Sequence, residues 1–312
     1  MKKYAFGVDI GGTTCKIGFF DTNGTLLDKW EIKTNTENNG ESILSDVAKA
    51  VDNKLAQEAI SKDDVQGIGI GVPGPVDSQG VVHRCVNLGW GVVNVAEELG
   101  NLTGLKIKVG NDANVAALGE MWQGGAKGSK DVIMVTLGTG VGGGIIVDGK
   151  GVAGFNGAGG EIGHITVNND EIEACNCGQY GCLEQYTSAT GIVRLAKRKL
   201  AKSTEETSIR EIPNLTAKDV FDAAKAGDAI AIGLVDEVCE ILGSTLSNIA
   251  CVVNPEIIVI GGGVSKAGDI LLDNIKKHFV ETSFMACRET KFALAGLGND
   301  AGMYGCVEML LD

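Results

Sequence analysis

YAFGVDIGGTTCKIGFFDTNGTLLDKWEI, residues 4–32, and VIMVTLGTGVGGGIIVDGKGVAG, residues 132–154, follow one pattern. In the first, apolar runs flank Gly11-Gly12-Thr13, and Asn23-Gly24 supplies the next turn. In the second they flank Gly138-Thr139-Gly140, and Asp148-Gly149 follows. Asn-Gly and Asp-Gly between apolar runs are hairpin signals, because the tight turn needs positive φ at its central residues. Each stretch reads as strand, Gly-Thr turn, strand, turn, strand.

The repetition continues outward. QGIGIGVPGPV at 66–76 and IIVIGGGVSKAG at 257–268 each read as a buried strand entering a glycine loop. Gly110-Asn111-Asp112-Ala113 returns as Gly298-Asn299-Asp300-Ala301, and both copies lead into small-residue helical patterns, NVAALGEM and GMYGCVEML. The second half is longer because it carries a cysteine-rich segment and a helical stretch over 186–250. There Ile230, Leu234, Val238, Ile241 and Leu242 keep helical spacing. A duplicated βββαβα unit with facing glycine hairpins is the plan of ribonuclease H-like, actin-like phosphotransferases. The expected fold is therefore α/β: two such lobes with an interlobe cleft and a zinc-bound loop. The expected N-terminal lobe covers 1–118 and is joined by a C-terminal helix at 298–312. The expected larger lobe covers 119–297 and holds the metal loop at 164–182.

Composition narrows the function. A chain of 312 residues is long for a single core. No run of about 18 apolar residues suggests a membrane span. MKKYAFGVDIGG shows no signal-peptide core, and nine cysteines without paired spacing suggest reduced thiols in a cytoplasmic protein. The formal net charge of −13 argues against nucleic acid or an anionic membrane as partner. An anionic ligand would have to be held by backbone N–H groups and a divalent cation, which suits a chain with 46 glycines.

The segment EIGHITVNNDEIEACNCGQYGCLE, residues 161–184, places Cys175, Cys177 and Cys182 eleven or more residues after His164. Three thiolates and an imidazole make a Cys₃His set, the closed arrangement of structural zinc. Gly178 and Gly181 permit the tight loop that gathers the four donors. Glu161 and Glu184 flank the set, so the metal would hold two carboxylates and an imidazole where a polyhydroxy ligand could sit. The other cysteines, Cys15, Cys85, Cys239, Cys251, Cys287 and Cys306, read as core packing.

No Walker A motif is present; GGAKGSK at 124–130 misses the spacing. GIGVPG at 69–74 and GTGVGG at 138–143 match G-x-G-x-x-G but open no helix, so a dinucleotide fold is rejected. Glycine hairpins can still form anion nests, with Thr13, Thr14 and Thr139 adding hydroxyls and Asp9 placed to hold Mg²⁺ through water. For phosphoryl transfer to an alcohol, a carboxylate must take the hydroxyl proton. Asp112 and Asp300 both qualify from spacing, and both could equally be helix N-caps.

DIGGT (9–13), GVPGPVD (71–77), NLGW (87–90), GNDANVAALGE (110–120), LGTGVGGGI (137–145), GAGGEIGH (157–164) and CNCGQYGCLE (175–184) together resemble the ROK family of repressors and sugar kinases, most nearly its zinc-containing ATP-dependent glucokinases. The resemblance spans nearly the whole chain. It implies that Asp112 is the base for the sugar 6-hydroxyl. It implies that Asn111 and Asp112 hold the 3- and 4-hydroxyls with backbone near Gly71, and that Glu161, His164 and Glu184 contact the 1- and 2-hydroxyls. Zinc would be bound by His164, Cys175, Cys177 and Cys182. The phosphates of ATP, with Mg²⁺, would lie by Asp9, Gly11, Gly12, Thr13, Thr14, Gly138, Thr139 and Gly140, and the adenosine by Gly261, Gly262 and Gly263. Asp300 would be structural. Polyphosphate-using members generally lack the cysteine cluster, which favours ATP here. Glucose or a related hexose is the implied substrate, in a homodimer or homotetramer.

Overall fold

The structure is a computed structural model and describes residues 2–311. The first meander is β1 (Tyr4–Ile10), β2 (Thr14–Asp21) and β3 (Leu26–Lys33). It is followed by α1 (Ile43–Gln57), β4 (Val65–Val72), the small hairpin β5 (Val81–Val82) and β6 (Val93–Asn94), α2 (Val95–Thr103), β7 (Ile107–Asn111) and α3 (Asp112–Gln123). The second meander is β8 (Val132–Leu137), β9 (Val141–Val147) and β10 (Lys150–Gly151). Then come α4 (Glu184–Thr187), α5 (Ala189–Lys202), α6 (Ala217–Lys225), α7 (Ala229–Val253), β11 (Ile257–Gly261), α8 (Asp269–Thr282), β12 (Lys291–Leu294) and α9 (Ala301–Leu311).

The two five-stranded sheets have orders β3-β2-β1-β4-β7 and β10-β9-β8-β11-β12, matching position for position. In the first, β1–β2 and β2–β3 are antiparallel, whereas β1–β4 and β4–β7 are parallel. In the second, β9–β10 is antiparallel, and β8–β11 and β11–β12 are parallel. The repeated sequence thus folds into a repeated topology. The chain divides into two compact units, Met1–Lys130 with Gly144–Gly160 and Gly296–Asp312, and Asp131–Gly143 with Glu161–Ala295.

In the first unit, Phe6, Val8, Ile68 and Ile70 are buried with Ile43, Val47, Val51 and Leu55 of α1, an apolar stripe at helical spacing. Glycines replace side chains where α9 lies against the strands. A Cβ on Gly7 would collide with the Met303 carbonyl, and one on Gly69 with the Cys306 carbonyl. The same economy joins α3 to α9, where Gly305 faces the Val115 carbonyl and Gly119 the Ala301 carbonyl. This close packing explains the small residues that follow both Asn-Asp-Ala copies. Glu120, fully buried, is satisfied by backbone N–H groups of Gly125 (2.7 Å), Gly296 (2.8 Å) and Leu297 (2.9 Å).

In the second unit, β8 and β11 bury Ile133, Val135, Leu137, Ile258, Val259 and Ile260. The long helix α7 starts where Asp228 caps Ala231 N–H at 3.1 Å and ends at Asn254, whose φ of 46° stops the helix before Pro255. Cys15, Cys85, Cys239, Cys287 and Cys306 are buried as expected, but Cys251 is exposed. It lies on the last turn of α7, at the edge of the packed region, and its exposure corrects its reading as a core residue. No helix among the described residues is long and apolar enough to cross a membrane.

Candidate active site

In the first unit the site residues gather at the carboxyl ends of three parallel strands. Asp9 of β1 is in register with Gly71 of β4, and Gly71 with Gly110 of β7. Open α/β sheets bind ligands at this edge, where strands end and helix N-termini begin. Gly71 is tightly fitted, since a Cβ there would lie 2.8 Å from Val115 Cγ2. Gly11 N–H donates to the Thr14 carbonyl at 2.9 Å, closing the β1–β2 turn. Thr34 Oγ1 donates to the Gly11 carbonyl at 2.7 Å and braces the turn from β3's end. Gly12 and Thr13 remain exposed at its tip.

The first turn of α3 separates the roles of neighbouring residues. Asn111 is the N-cap: Oδ1 accepts from Ala113 N–H (3.0 Å) and Asn114 N–H (3.2 Å), and Nδ2 donates to the Gly74 carbonyl (3.2 Å). Asp112 is therefore not the cap, and its side chain is exposed. Its counterpart Asp300 lies in a 3-10 turn and pairs with Lys29 at 2.7 Å. The two copies of Gly-Asn-Asp-Ala thus differ in three dimensions where they are identical in sequence. Half-buried Asp9 has its carboxyl raised to about 6, mainly by desolvation. Lys16 opposes the rise and the negative charge of Asp112 adds to it.

In the second unit the Gly138–Gly140 turn closes with Gly138 N–H donating to the Gly140 carbonyl at 3.0 Å. It is fastened to α5, because Ala189 N–H donates to the Gly138 carbonyl (2.8 Å) and Thr190 Oγ1 to the Thr139 carbonyl (2.7 Å). Thr139 is exposed. Gly261 ends β11, Gly262 takes φ 83° against the Leu137 backbone, and Gly263 opens a 3-10 turn.

His164, Cys175, Cys177 and Cys182 converge, with one donor atom from each lying within 4.8 Å of the others. Cys177 Sγ is 3.6 Å from Cys182 Sγ, and His164 Nδ1 is 4.0 Å from Cys175 Sγ. Tetrahedral zinc with bonds of ~2.3 Å to sulfur separates its sulfurs by about 3.8 Å, so the four donors fit that ion. Glu184 stands beside them, Oε1 2.8 Å from Cys175 Sγ and 3.9 Å from His164 Nδ1. Glu161 precedes the 3-10 turn Ile162–His164 and is exposed. A cavity of about 340 Å³ is lined by Thr139, Gly140, Cys175, Glu184, Ser188 and Arg194 among others, so the glycine turn and the metal loop share one concavity.

Sequence reading missed a second cluster, built from this loop and the helices that follow it: Glu171, Glu173, Tyr186, Arg194 and Arg198. Glu171 is 1% exposed and pairs with both arginines. The signal was available as Arg194 and Arg198 one helical turn apart, but such charges ordinarily mark a solvated face.

This is an α/β protein of two topologically equivalent actin-like units, one of which carries a loop that gathers a Cys₃His donor set able to hold a metal. The chain belongs to the ROK family, whose family model matches residues 5–312. It is 46% identical over 308 residues to a glucokinase of Halalkalibacterium halodurans, covering 97% of this chain and 93% of that one. It is 35% identical over 320 residues to a glucokinase of Thermotoga maritima, covering 97% and 96%. Among solved structures, a ROK family glucokinase from Streptomyces griseus in complex with glucose and AMPPNP is 33% identical with a TM-score of 0.76, covering 98% of each chain.

Proposed function

We propose that this protein transfers the γ-phosphoryl group of ATP to the 6-hydroxyl of glucose, with Asp112 as the general base. The observation that carries the assignment is the asymmetry of the repeated Gly-Asn-Asp-Ala. Asp112 opens α3 at the carboxyl end of β7, next to the N-cap Asn111, whereas Asp300 lies in a 3-10 turn before α9 and pairs with Lys29. The similarity to glucokinases supports the substrate.

Phosphoryl transfer asks mainly for positioning and charge neutralisation. Asn111 and Asp112 hold the 3- and 4-hydroxyls with backbone at Gly71; Glu161, His164 and Glu184 hold the 1- and 2-hydroxyls. Asp112 accepts the 6-hydroxyl proton as the oxygen attacks in line. The turns at Gly11, Gly12, Thr13 and Thr14 and at Gly138, Thr139 and Gly140 hold the phosphates by backbone N–H groups and hydroxyls. Gly261, Gly262 and Gly263 line the nucleoside. Asp9 would hold Mg²⁺, which supplies charge neutralisation at the phosphates. Zinc, closed by four ligands, would orient His164 through Nδ1 and leave Nε2 for the sugar.

The test is ADP release from Mg-ATP against glucose, mannose, fructose, allose, N-acetylglucosamine and N-acetylmannosamine. Strong preference for glucose is expected. Preference for another hexose keeps the mechanism and changes the substrate. Sugar binding with no ADP release from any member of the panel overturns the kinase assignment in favour of a sugar sensor.

A further inference from the structure

The short helix α4 carries two side chains with different destinations. Glu184 reaches the metal ligands and the glycine turn, and Tyr186, two residues on, is buried and reaches Glu171. Glu171 lies in the middle of the metal loop and is not a ligand. Its Oε2 accepts from Tyr186 Oη (2.6 Å), Arg194 Nη2 (2.8 Å) and Arg198 Nη1 (2.9 Å). Its Oε1 accepts from Arg198 Nη2 (2.8 Å) and from the N–H groups of Ile172 and Glu173 (3.0 Å each). These donors hold the carboxyl far below the usual range, the Arg198 hydrogen bonds first among them. The Arg194 guanidinium also lies 5.1 Å from the Tyr186 ring centre, and Asn168 Nδ2 donates to Tyr186 Oη at 2.9 Å. Gln185, between the two, bridges Cys182 N–H (3.0 Å) to the Glu173 carbonyl (2.9 Å).

We propose that Glu171 is a positioning residue for Glu184: through Tyr186 and the α5 arginines it forms a brace additional to the metal ligands, one that sets where the Glu184 carboxylate meets the sugar. Cys182, a candidate metal ligand, precedes α4 on its N-terminal side, and Gln185 ties the helix to the Glu173 carbonyl. The Glu171–Tyr186 bond adds a further tie, through a residue two positions beyond Glu184. A buried, bidentate, charge-assisted network has the directional rigidity for this work. The proposal rests on the reading of Glu184 as a sugar-binding residue.

The experiment compares Glu171→Gln and Tyr186→Phe with wild type in zinc-loaded protein, measuring kcat, the KM of glucose and of ATP, zinc content, and hydrogen exchange over residues 183–188. Tyr186→Phe removes only the hydroxyl and keeps the ring, so it decides the matter where Glu171→Gln does not fold. Expected is a glucose KM raised about tenfold, with ATP KM and zinc content unchanged and faster exchange in α4. Unchanged glucose KM with unchanged exchange overturns the proposal, as does zinc loss in step with the KM rise, which would make the effect run through the metal. If wild type turns over no hexose, the functional reading fails, and exchange in α4 still decides whether Glu171 holds that helix.

Discussion

Glu184 and Gly140 are matched: a Cβ built on Gly140 would lie 2.6 Å from Glu184 Oε2. The missing side chain at Gly140 is what lets the carboxylate reach between the cysteine loop and the Gly138–Gly140 turn, its other oxygen lying 2.8 Å from Cys175 Sγ. One residue therefore touches both halves of the proposed chemistry in this unit.

Gly140→Ala tests this relation. The obstructing atom is the tip of a flexible side chain, so the fold can yield by moving Glu184. Melting temperature is expected to change little while glucose KM rises several-fold. A variant with normal glucose KM would show that Glu184 does not act from its observed position. Gly305→Ala supplies the contrast, because its Cβ would meet the Val115 carbonyl, which is backbone. It is expected to lose about 3 kcal/mol of stability by overpacking, read by chemical denaturation.

Asp112→Asn is expected to lower kcat by about 10²–10⁴-fold, the usual worth of a general base. Because Asn111 caps α3, the substitution should leave melting temperature near wild type. Near-normal kcat would remove Asp112 from the role, and Asp300→Asn provides the control, with a small effect on kcat.

Zinc analysis should find about one ion per chain. Cys177→Ser is expected to lose it and either raise glucose KM or loosen residues 164–182, seen by hydrogen exchange. Retained sugar affinity and stability in the zinc-free protein would mean that the metal does not shape the site.

Asp9 predicts a pH dependence. Its folded pKa of about 6 lies above its ordinary 3.8, so the fold favours the protonated form. The stabilisation this gives is fully present below the ordinary value and is lost as pH rises through about 6. Without ligands, Asp9→Asn should melt higher than wild type at pH 7.5, and the gap should close towards pH 4. With ligands, the KM for Mg-ATP should rise as pH falls below 6, because a protonated Asp9 no longer supports the cation. A gap that is independent of pH would contradict the buried titration.

Much of this was legible in the chain. The hairpin signals at Asn23-Gly24 and Asp148-Gly149 depend on local backbone preference, and both meanders formed where they fell. The Cys₃His spacing reads the same way, since the ligands lie on one short loop. Other features were not legible. Nothing in Gly-Asn-Asp-Ala distinguishes Asp112 from Asp300 until Lys29 arrives from β3, a partner 271 positions away. Cys251 looked like its buried neighbours on α7 because helical spacing alone does not say where packing against that helix ends. Glu171 was overlooked because a carboxylate is buried only when its cations come from elsewhere, here a helix more than twenty residues on.

The sequence by itself determined the duplicated α/β topology, the glycine turns and the donor set for a metal, because each is encoded in residues close together along the chain. Only the tertiary structure decided that Asp300 meets Lys29, that Gly140 makes room for Glu184, and that Glu171 is buried against Tyr186 and two arginines. Those outcomes depend on side chains brought together from distant segments, and their energies arise from burial and hydrogen-bond geometry that no local pattern contains.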